Sequence, residues 1–362
     1  MAVEFISAVH TTPTTEATPG GRRRGSFDPE YTRRFVRALD DGGFDWTLVA
    51  YGSSSVDANQ LAQFVLNHSE RIAPMVAHRP GFVAPTQAAK VFATLDRIGG
   101  GRMGVHIISG GDDQEQRREG DYLDKSERYA RSEEFVRILR QIWESEGQPV
   151  SHEGRYYRFE DFATDILPVQ DALPISVGGS SEHAYRIGGQ LGDIFGLWGE
   201  PLAETAQQIA AVNAHADAAG RPHPRIWVSF RPIVAATDEL AWEKAHDVLG
   251  AVRANGSVNG WRPPNVGSQR LRAVAARGDR HDRALWTPLV EATAQPGSTT
   301  ALVGSYETVA KALLDYVDIG CELLSIRGWD PLTDAIDYAR HIVPLVRQEL
   351  AHRDAGSVQE IA

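Results

Sequence analysis

The most constraining feature of this sequence is a regular alternation of strand-like apolar runs with helical patterns. Eight runs have the pattern of strands, at residues 4–10, 46–50, 71–77, 102–109, 174–177, 193–198, 225–235 and 321–327. Strands that alternate with helices form a parallel sheet, and eight is the number that closes a barrel. We therefore expect an α/β fold, the (β/α)8 TIM barrel. A doubly wound open sheet is the alternative, but no G-x-G-x-x-G follows the first strand and no P-loop occurs.

The chain is long enough for one large barrel, since it has 362 residues of which 42% are hydrophobic. We predict a single domain over residues 1–350 and a disordered tail at 351–362. Three segments are longer than a minimal barrel needs, and long loops inside compact domains are usually functional or disordered. These predicted insertions are 110–128, 147–171, in which residues 154–159 have a strand pattern, and 254–299.

Composition excludes several classes of partner. A formal net charge of −11 argues against nucleic acid and against an anionic membrane surface. No apolar run approaches the roughly 20 residues of a membrane span, and residues 1–7 lack the pattern of a signal peptide. We therefore expect a cytoplasmic protein. The single cysteine, Cys321, excludes an internal disulfide and a multi-cysteine metal site, and we expect no metal.

A glycine-rich segment is the candidate anion site. Gly178, Gly179, Ser180 and Ser181 follow the fifth predicted strand and open a helix. Backbone N–H groups at a helix start, glycines that allow close approach and two hydroxyls together suit a phosphate group. An ordinary glycine turn with a serine cap is the alternative interpretation.

Polar side chains also stand where several predicted strands end, which is where (β/α)8 barrels carry their chemistry. A helix ends on Gly99–Gly101 and turns directly into the fourth strand, which ends in His106 and Ser109. Three strand-end arginines need anionic groups nearby, either from the protein's own carboxylates or from a substrate. The other strand-end candidates are His10, Ser55, His78, Arg79, Trp198, Arg231 and Arg327.

The run from Thr94 to Gly111 and the Gly178–Ser181 segment resemble signatures of the bacterial-luciferase-like, flavin-dependent monooxygenases. The chain most resembles their alkanesulfonate monooxygenase branch, over roughly residues 3–350. The resemblance implies a luciferase-like TIM barrel with insertions, in which 254–299 includes a segment that closes over the flavin. It also implies a set of cofactor-binding residues, namely His106, Ser109, Tyr129, Gly179, Ser180 and Ser181.

The same resemblance implies a reaction and its partners. A separate NAD(P)H-dependent FMN reductase supplies FMNH2, which acts with O2 to cleave the C–S bond of an organosulfonate and release sulfite and an aldehyde. Arg231, and after it Arg327, are the candidates for holding a small anionic substrate, and His10 is the candidate general acid or base. Trp198 and Ser55 complete the implied catalytic set. A homo-oligomer, either a dimer or a tetramer, is expected.

Several substrate-pocket positions depart from the typical alkanesulfonate branch. Ser55 stands in place of a cysteine, Ser229 and Arg231 in place of Arg-x-His, Gln295 in place of an arginine, and Trp329 in place of a tyrosine. The departures count against a simple alkanesulfonate, and the expected substrate is an organosulfonate or a bulkier relative such as a sulfosugar. One alternative is a luciferase-like oxygenase acting on another substrate, such as a sulfone or an amine polycarboxylate. Another is a flavin- or deazaflavin-binding protein without oxygenase turnover.

Overall fold

The computed structural model describes residues 3–15, 27–254, 265–293 and 300–359. Its strands are β1 (Glu4–Ala8), β2 (Trp46–Val49), β3 (Ala73–His78), β4 (Gly104–Ile107), β5 (Val150–Glu153), β6 (Arg158–Phe162), β7 (Ile175–Gly178), β8 (Ile194–Trp198), β9 (Arg225–Phe230), β10 (Ile233–Ala235), β11 (Arg280–His281), β12 (Leu285–Trp286), β13 (Ala301–Ser305) and β14 (Cys321–Ile326). Its helices are α1 (Pro29–Asp41), α2 (Ala58–Asn67), α3 (Pro85–Ile98), α4 (Asp113–Arg118), α5 (Lys125–Trp143), α6 (Glu182–Leu191), α7 (Leu202–Ala218), α8 (Asp238–Ala254), α9 (Val266–Ala275), α10 (Pro288–Thr293), α11 (Tyr306–Asp318) and α12 (Pro331–Gln359).

Eight of these strands close a barrel in the order β1, β14, β9, β8, β7, β4, β3, β2. The pairs are parallel where their register is defined, with Glu4 opposite Leu323 and His106 opposite Ser176. The barrel strands correspond to the eight runs expected from the sequence, and helices separate them along the chain. The (β/α)8 TIM barrel is therefore confirmed, and the open doubly wound sheet is excluded.

Local sequence signals fix where several helices begin and end. Asp28 caps α1 by accepting two backbone N–H groups of its first turn, and Pro29 occupies the first helical position. α5 begins with a capping box, in which Asp124 and Glu127 each accept the other's backbone N–H. α3 ends on the predicted glycine cluster, where Gly101 has a φ of +87° that turns the chain toward β4.

The chain divides into two compact units. One consists of Met1–Trp46, Gly196–Ala210 and Arg225–Ala362, and the other of Thr47–Phe195 and Ala211–Pro224. The first unit contains a small second sheet with the order β10, β13, β12, β11. Side chains from this sheet, α8, α10 and the segment after β14 form one buried apolar cluster, which includes Ile233, Val248, Trp286, Leu289 and Trp329.

The seventh predicted strand, residues 225–235, is wrong as a single strand. It divides into β9 in the barrel and β10 in the small sheet, with Arg231 and Pro232 between them. Pro232 has no N–H to donate to a ladder, so the strand cannot continue through it in regular pairing. β10 then pairs in parallel with β13, a strand that the sequence analysis missed.

The predicted insertions contain defined elements. Segment 110–128 holds α4 and the start of α5, and the described part of 254–299 holds α9, β11, β12 and α10. The strand predicted at 154–159 is misplaced, because residues 154–157 form the turn of the antiparallel β5–β6 hairpin. Gly154 closes this turn by donating its N–H to the carbonyl oxygen of Tyr157 at 3.0 Å.

The last helix extends further than the sequence suggested. α12 continues to Gln359, into the segment predicted as a disordered tail. Arg353 supports this extension by pairing with Glu349 one turn earlier at 3.2 Å and with Asp318 at 2.7 Å. Within the described ranges, no helix has both the length and the apolarity needed to cross a membrane.

The side chain of His78, at the end of β3, is buried between two aromatic rings. It stacks on Phe135 and meets the edge of Phe92, with ring centroids about 5 Å away in both cases. Burial lowers the pKa of His78 from 6.5 to about 4, so the neutral ring is the form that the fold accommodates. The folded-state pKa is therefore lower than the unfolded one, and stability depends on pH. The contribution of His78 is complete above pH 6.5 and is lost as the pH falls toward 4.

We expect replacement of His78 by phenylalanine to reduce the loss of unfolding free energy that occurs as the pH falls. Between pH 6.5 and 4 the wild type should lose about 3 kcal/mol more unfolding free energy than His78→Phe, because only the histidine must be protonated inside an apolar site. Urea unfolding at several pH values measures this difference. His223→Phe, at an exposed histidine, is the control and should keep the wild-type slope. Parallel pH profiles for the wild type and His78→Phe would contradict this account of His78.

Candidate functional site

The Gly178–Ser181 segment connects β7 to α6 at the carboxyl end of a barrel strand. Gly179 has a φ of +137°, a conformation that residues with side chains rarely adopt. Ser181 caps α6, since its Oγ accepts the N–H of Ala184 at 3.3 Å. The first N–H groups of a helix have no carbonyl partner within it, and they attract anions placed before the helix. The local geometry is therefore compatible with an anion at this helix start.

The phenol of Tyr129, on α5, lies beside this helix start. Its hydroxyl is 3.4 Å from the Ser181 hydroxyl. A Cβ atom added to Gly179 would lie 3.6 Å from the same phenol oxygen and 2.9 Å from the Ala184 Cβ, so a side chain there would fill the space. Burial raises the pKa of Tyr129, which keeps the phenol protonated and able to donate. The structure thus brings Tyr129, Gly179 and Ser181 together, with Ser180 between the last two.

His106 and Ser109 stand at the end of β4, the strand beside β7. His106 Nδ1 lies 2.9 Å from the hydroxyl of Ser176 on β7, and burial lowers the pKa of His106 to about 4, so its ring is neutral at pH 7. Ser109 donates its hydroxyl to Ser132 at 2.9 Å and accepts Arg128 Nε on its carbonyl at 3.0 Å. Two side chains of α5 therefore hold the end of β4 in place.

Arg79, which follows β3, has its charge met by carboxylates of the protein. Its guanidinium lies 2.7 Å from Glu119 and 3.3 Å from Glu115, which belong to α4 and its end. Tyr51 donates its hydroxyl to Glu119 at 2.6 Å, and the Tyr51 ring centroid lies 4.7 Å from the guanidinium carbon. The sequence predicted anionic groups near each strand-end arginine. For Arg79, the protein's own carboxylates are these groups.

Ser55 and His10 have simpler surroundings. Ser55 is exposed, and its hydroxyl accepts the N–H of Gly52 at 3.0 Å and donates to the Gly52 carbonyl at 2.9 Å. The hydroxyl thereby closes its own turn. His10 is partly exposed just after β1, with its ring centroid 5.6 Å from that of Phe35 on α1.

Trp198 ends β8, and α9 packs directly against its ring. A Cβ atom on Gly267 would lie 2.6 Å from that ring, so the contact requires glycine. Three residues further along α9, Arg270 makes a two-point ion pair with Glu200, with Nε 2.8 Å from Oε1 and Nη2 2.6 Å from Oε2. Glu200 is 1% exposed. A glycine contact and an ion pair between a partly exposed arginine and a buried carboxylate therefore attach α9 to the end of β8.

Arg231 lies flat on the ring of Trp329, with its guanidinium carbon 3.4 Å from the ring centroid. Its Nη2 also donates to the carbonyl of Gly328 at 3.0 Å. Arg231 is 6% and Trp329 1% exposed, and Trp329 belongs to the apolar cluster of the small sheet. This corrects the expectation that Trp329 lines a substrate pocket, because the ring is part of the core. Arg327, two residues before Trp329, is partly exposed.

Two other residues, Ser229 and Gln295, were expected in the substrate pocket. Ser229 lies on β9, partly exposed and opposite Ser325 of β14. Gln295 lies outside the described residues. Within the described part of the chain, no group of three or more His, Cys, Asp or Glu side chains is arranged to hold a metal ion.

Sequence reasoning missed the partners that fix these side chains. Glu200 and Arg270 are 70 positions apart, and Glu119 is 40 positions from Arg79, so no local spacing pairs them. His183, whose ring stacks on Tyr129 with centroids 5.6 Å apart, was also not recognised. One available signal was the Gly267-to-Arg270 spacing in the predicted closing segment, since a glycine and an arginine one helical turn apart lie on one face.

Comparisons with known proteins agree with this fold. The sequence model of the luciferase-like monooxygenase family matches residues 3–323. Among solved structures, riboflavin lyase with modified FMN and riboflavin is 18% identical with a TM-score of 0.79, covering 96% of this chain and 92% of that one. EDTA monooxygenase from Chelativorans sp. BNC1 is 17% identical with a TM-score of 0.76, covering 96% and 94%. An F420-dependent secondary alcohol dehydrogenase with an F420–acetone adduct is 17% identical with a TM-score of 0.68, covering 96% and 99%.

Proposed function

The chain belongs to the luciferase-like monooxygenase family, and we propose that it is a two-component enzyme that uses reduced FMN and O2 to oxidise a small anionic organic substrate. The observation that carries the proposal is the helix start of α6, where Gly179, Ser181 and Tyr129 converge. A phosphate held there would accept hydrogen bonds from backbone N–H groups and from the Tyr129 hydroxyl. The space that a Cβ atom on Gly179 would fill suits the close approach that a phosphate needs.

The residues of the chain have distinct roles in this proposal. Bound reduced FMN would supply the electrons with which O2 is activated, and that chemistry belongs to the cofactor. His106 and Ser109, at the end of β4, would line the flavin ring, and the neutral imidazole would avoid placing a buried charge beside it. His10 would move a proton, since it is partly exposed at the end of β1.

Arg327 is our choice for contact with the anionic substrate. Arg327 is a partly exposed residue just after β14, and the guanidinium of an arginine matches the oxygens of a sulfonate or carboxylate. Arg231, buried on Trp329 and bonded to Gly328, has the surroundings of a positioning residue. We propose an organosulfonate as the substrate, with sulfite and an aldehyde as products, and an amine polycarboxylate as the second candidate. The second candidate rests on the similarity in fold to EDTA monooxygenase.

A reconstitution assay tests the proposal. The purified chain should not oxidise NADH or NADPH alone, because the one G-x-G-x-x-G string, Gly99–Gly104, leads from a helix into a strand and not from a strand into a helix, as dinucleotide binding requires. With an NAD(P)H-dependent FMN reductase added, an organosulfonate should be consumed with release of sulfite, and EDTA should not be consumed. Omission of FMN is the control. Rapid NADH oxidation by the chain alone would refute the two-component scheme, and binding of a deazaflavin without FMNH2 binding would favour the non-oxygenase alternative.

A further inference from the structure

Gln116, in the middle of α4, is buried without satisfying its side-chain amide. The residue is 0% exposed, and neither its Oε1 nor its Nε2 has a hydrogen-bond partner among the residues that the structure describes. A buried amide without partners gives up its hydrogen bonds to water and receives nothing in return, which costs about 1–3 kcal/mol for each group. Buried polar groups without a partner are rare in folded proteins, so this amide calls for a physical explanation.

The amide lies against the end of β4. Its atoms are 2.4–2.6 Å from the position that a Cβ atom on Gly110 would take, and Gly110 has a φ of +81°. Any side chain at position 110 would therefore displace the amide. Glycine, which has no Cβ atom, leaves the space that the Gln116 amide occupies. Gly110 follows Ser109, which we assign to the flavin ring. Gln116 of α4 thus packs against the end of β4, and β4 neighbours β7, the strand that leads to the Gly178–Ser181 segment.

α4 is short and is attached mainly through charges. Glu115 and Glu119, on either side of Gln116 in the sequence, bind Arg79, and the N–H of Ser53 donates to Glu115 at 3.0 Å. The loop that leaves α4 borders a cavity of about 430 Å³, whose lining includes Gly120, Asp121, Tyr122 and Arg131. The cavity borders this loop and not Gln116 itself, so the amide reaches a ligand only when α4 shifts.

We propose that Gln116 is a flavin-binding residue whose amide pairs with the pyrimidine edge of the isoalloxazine ring when α4 shifts. That edge presents N3–H between two carbonyl oxygens, and a primary amide offers one acceptor and two donors to it. Two parallel hydrogen bonds would satisfy both orphaned atoms at once. The inference rests on the proposed function, since it assigns a further contact within the same cofactor site.

An FMN analogue and a protein variant together test the contact between Gln116 and the flavin. Reduced FMN and its 3-methyl analogue, which lacks the N3–H donor, are titrated anaerobically into the wild type and into Gln116→Met, whose side chain has a similar shape. The wild type should bind the analogue about tenfold more weakly than FMN, and Gln116→Met should bind both with the same, weaker affinity. The ligand-free variant should also melt at a higher temperature than the wild type, because it no longer buries an unpaired amide.

Thr47→Val is the matched control. Thr47 on β2 is also fully buried, and its hydroxyl has no partner within the described residues, so this variant removes an orphaned polar atom elsewhere. It should change thermal stability and leave the preference for FMN over the analogue intact. Equal affinity of the wild type for both ligands would overturn the inference while leaving the proposed function standing. Failure of the wild type to bind reduced FMN at all would remove the proposed function itself.

Discussion

Replacing Gly179 with aspartate is expected to raise the dissociation constant of reduced FMN by about 100-fold or more. The change puts a carboxylate at the helix start where the phosphate is proposed to bind, and the two negative charges repel each other. It also adds a side chain where a Cβ atom would approach Ala184 to 2.9 Å on a backbone with a φ of +137°. Anaerobic fluorescence titration of the variant with FMNH2 measures the effect.

Two variants separate the loss of the anion site from a general loss of structure. Gly220→Asp adds the same carboxylate to another glycine of positive φ, at +63°, where a Cβ atom would meet nothing within 4 Å. It should bind FMNH2 as the wild type does. Tyr129→Phe removes one hydroxyl without backbone strain and should weaken binding by about tenfold, the loss of one hydrogen bond to a charged group. Unchanged FMNH2 affinity in both Gly179→Asp and Tyr129→Phe would remove the phosphate role from this segment.

The barrel could be predicted from the sequence because its information is local. Each of the eight strands is a short apolar run bounded by turn residues, and the Gly99–Gly101 cluster marks one helix-to-strand connection without any tertiary information. The small sheet could not be predicted in the same way. β10 had no turn residue other than Pro232 to separate it from β9, and its partner β13 is a five-residue strand that pairs far along the chain. Pairing between distant segments leaves no periodic signal in either one.

The candidate site was predictable where backbone conformation dictates residue type. Gly179 and Ser181 could be assigned from the sequence because a positive φ favours glycine and the N-cap position of a helix favours serine. Charged side chains were less informative, since an arginine at a strand end serves equally well for a ligand or for a carboxylate from elsewhere. Arg79 turned out to bind Glu115 and Glu119, and Trp329 belongs to the core. Only the three-dimensional structure reveals which of these roles a side chain has.

Replacing Arg270 with methionine is expected to lower the free energy of unfolding by about 3–5 kcal/mol, which is the usual cost of leaving one charge of a buried ion pair without its partner. Glu200 is 1% exposed, so its carboxylate cannot turn to water when the guanidinium is gone. The same change should loosen α9 from the end of β8, since it removes the ion pair and leaves the Gly267 contact with Trp198. Urea unfolding measures the first effect, and the rate of limited proteolysis near α9 measures the second.

A second pair of variants identifies the buried charge as the cause. In the double variant Glu200→Leu with Arg270→Met, no charge remains buried, and most of the lost stability should return. Arg277→Met removes an arginine that is 55% exposed and paired with Glu204, and it should cost no more than about 1 kcal/mol. If the double variant restores the stability but not the resistance to proteolysis near α9, the ion pair has a second role, which is to hold this helix at the end of β8. A single variant as stable as the wild type would mean that Glu200 finds another partner and that the pair does not anchor α9.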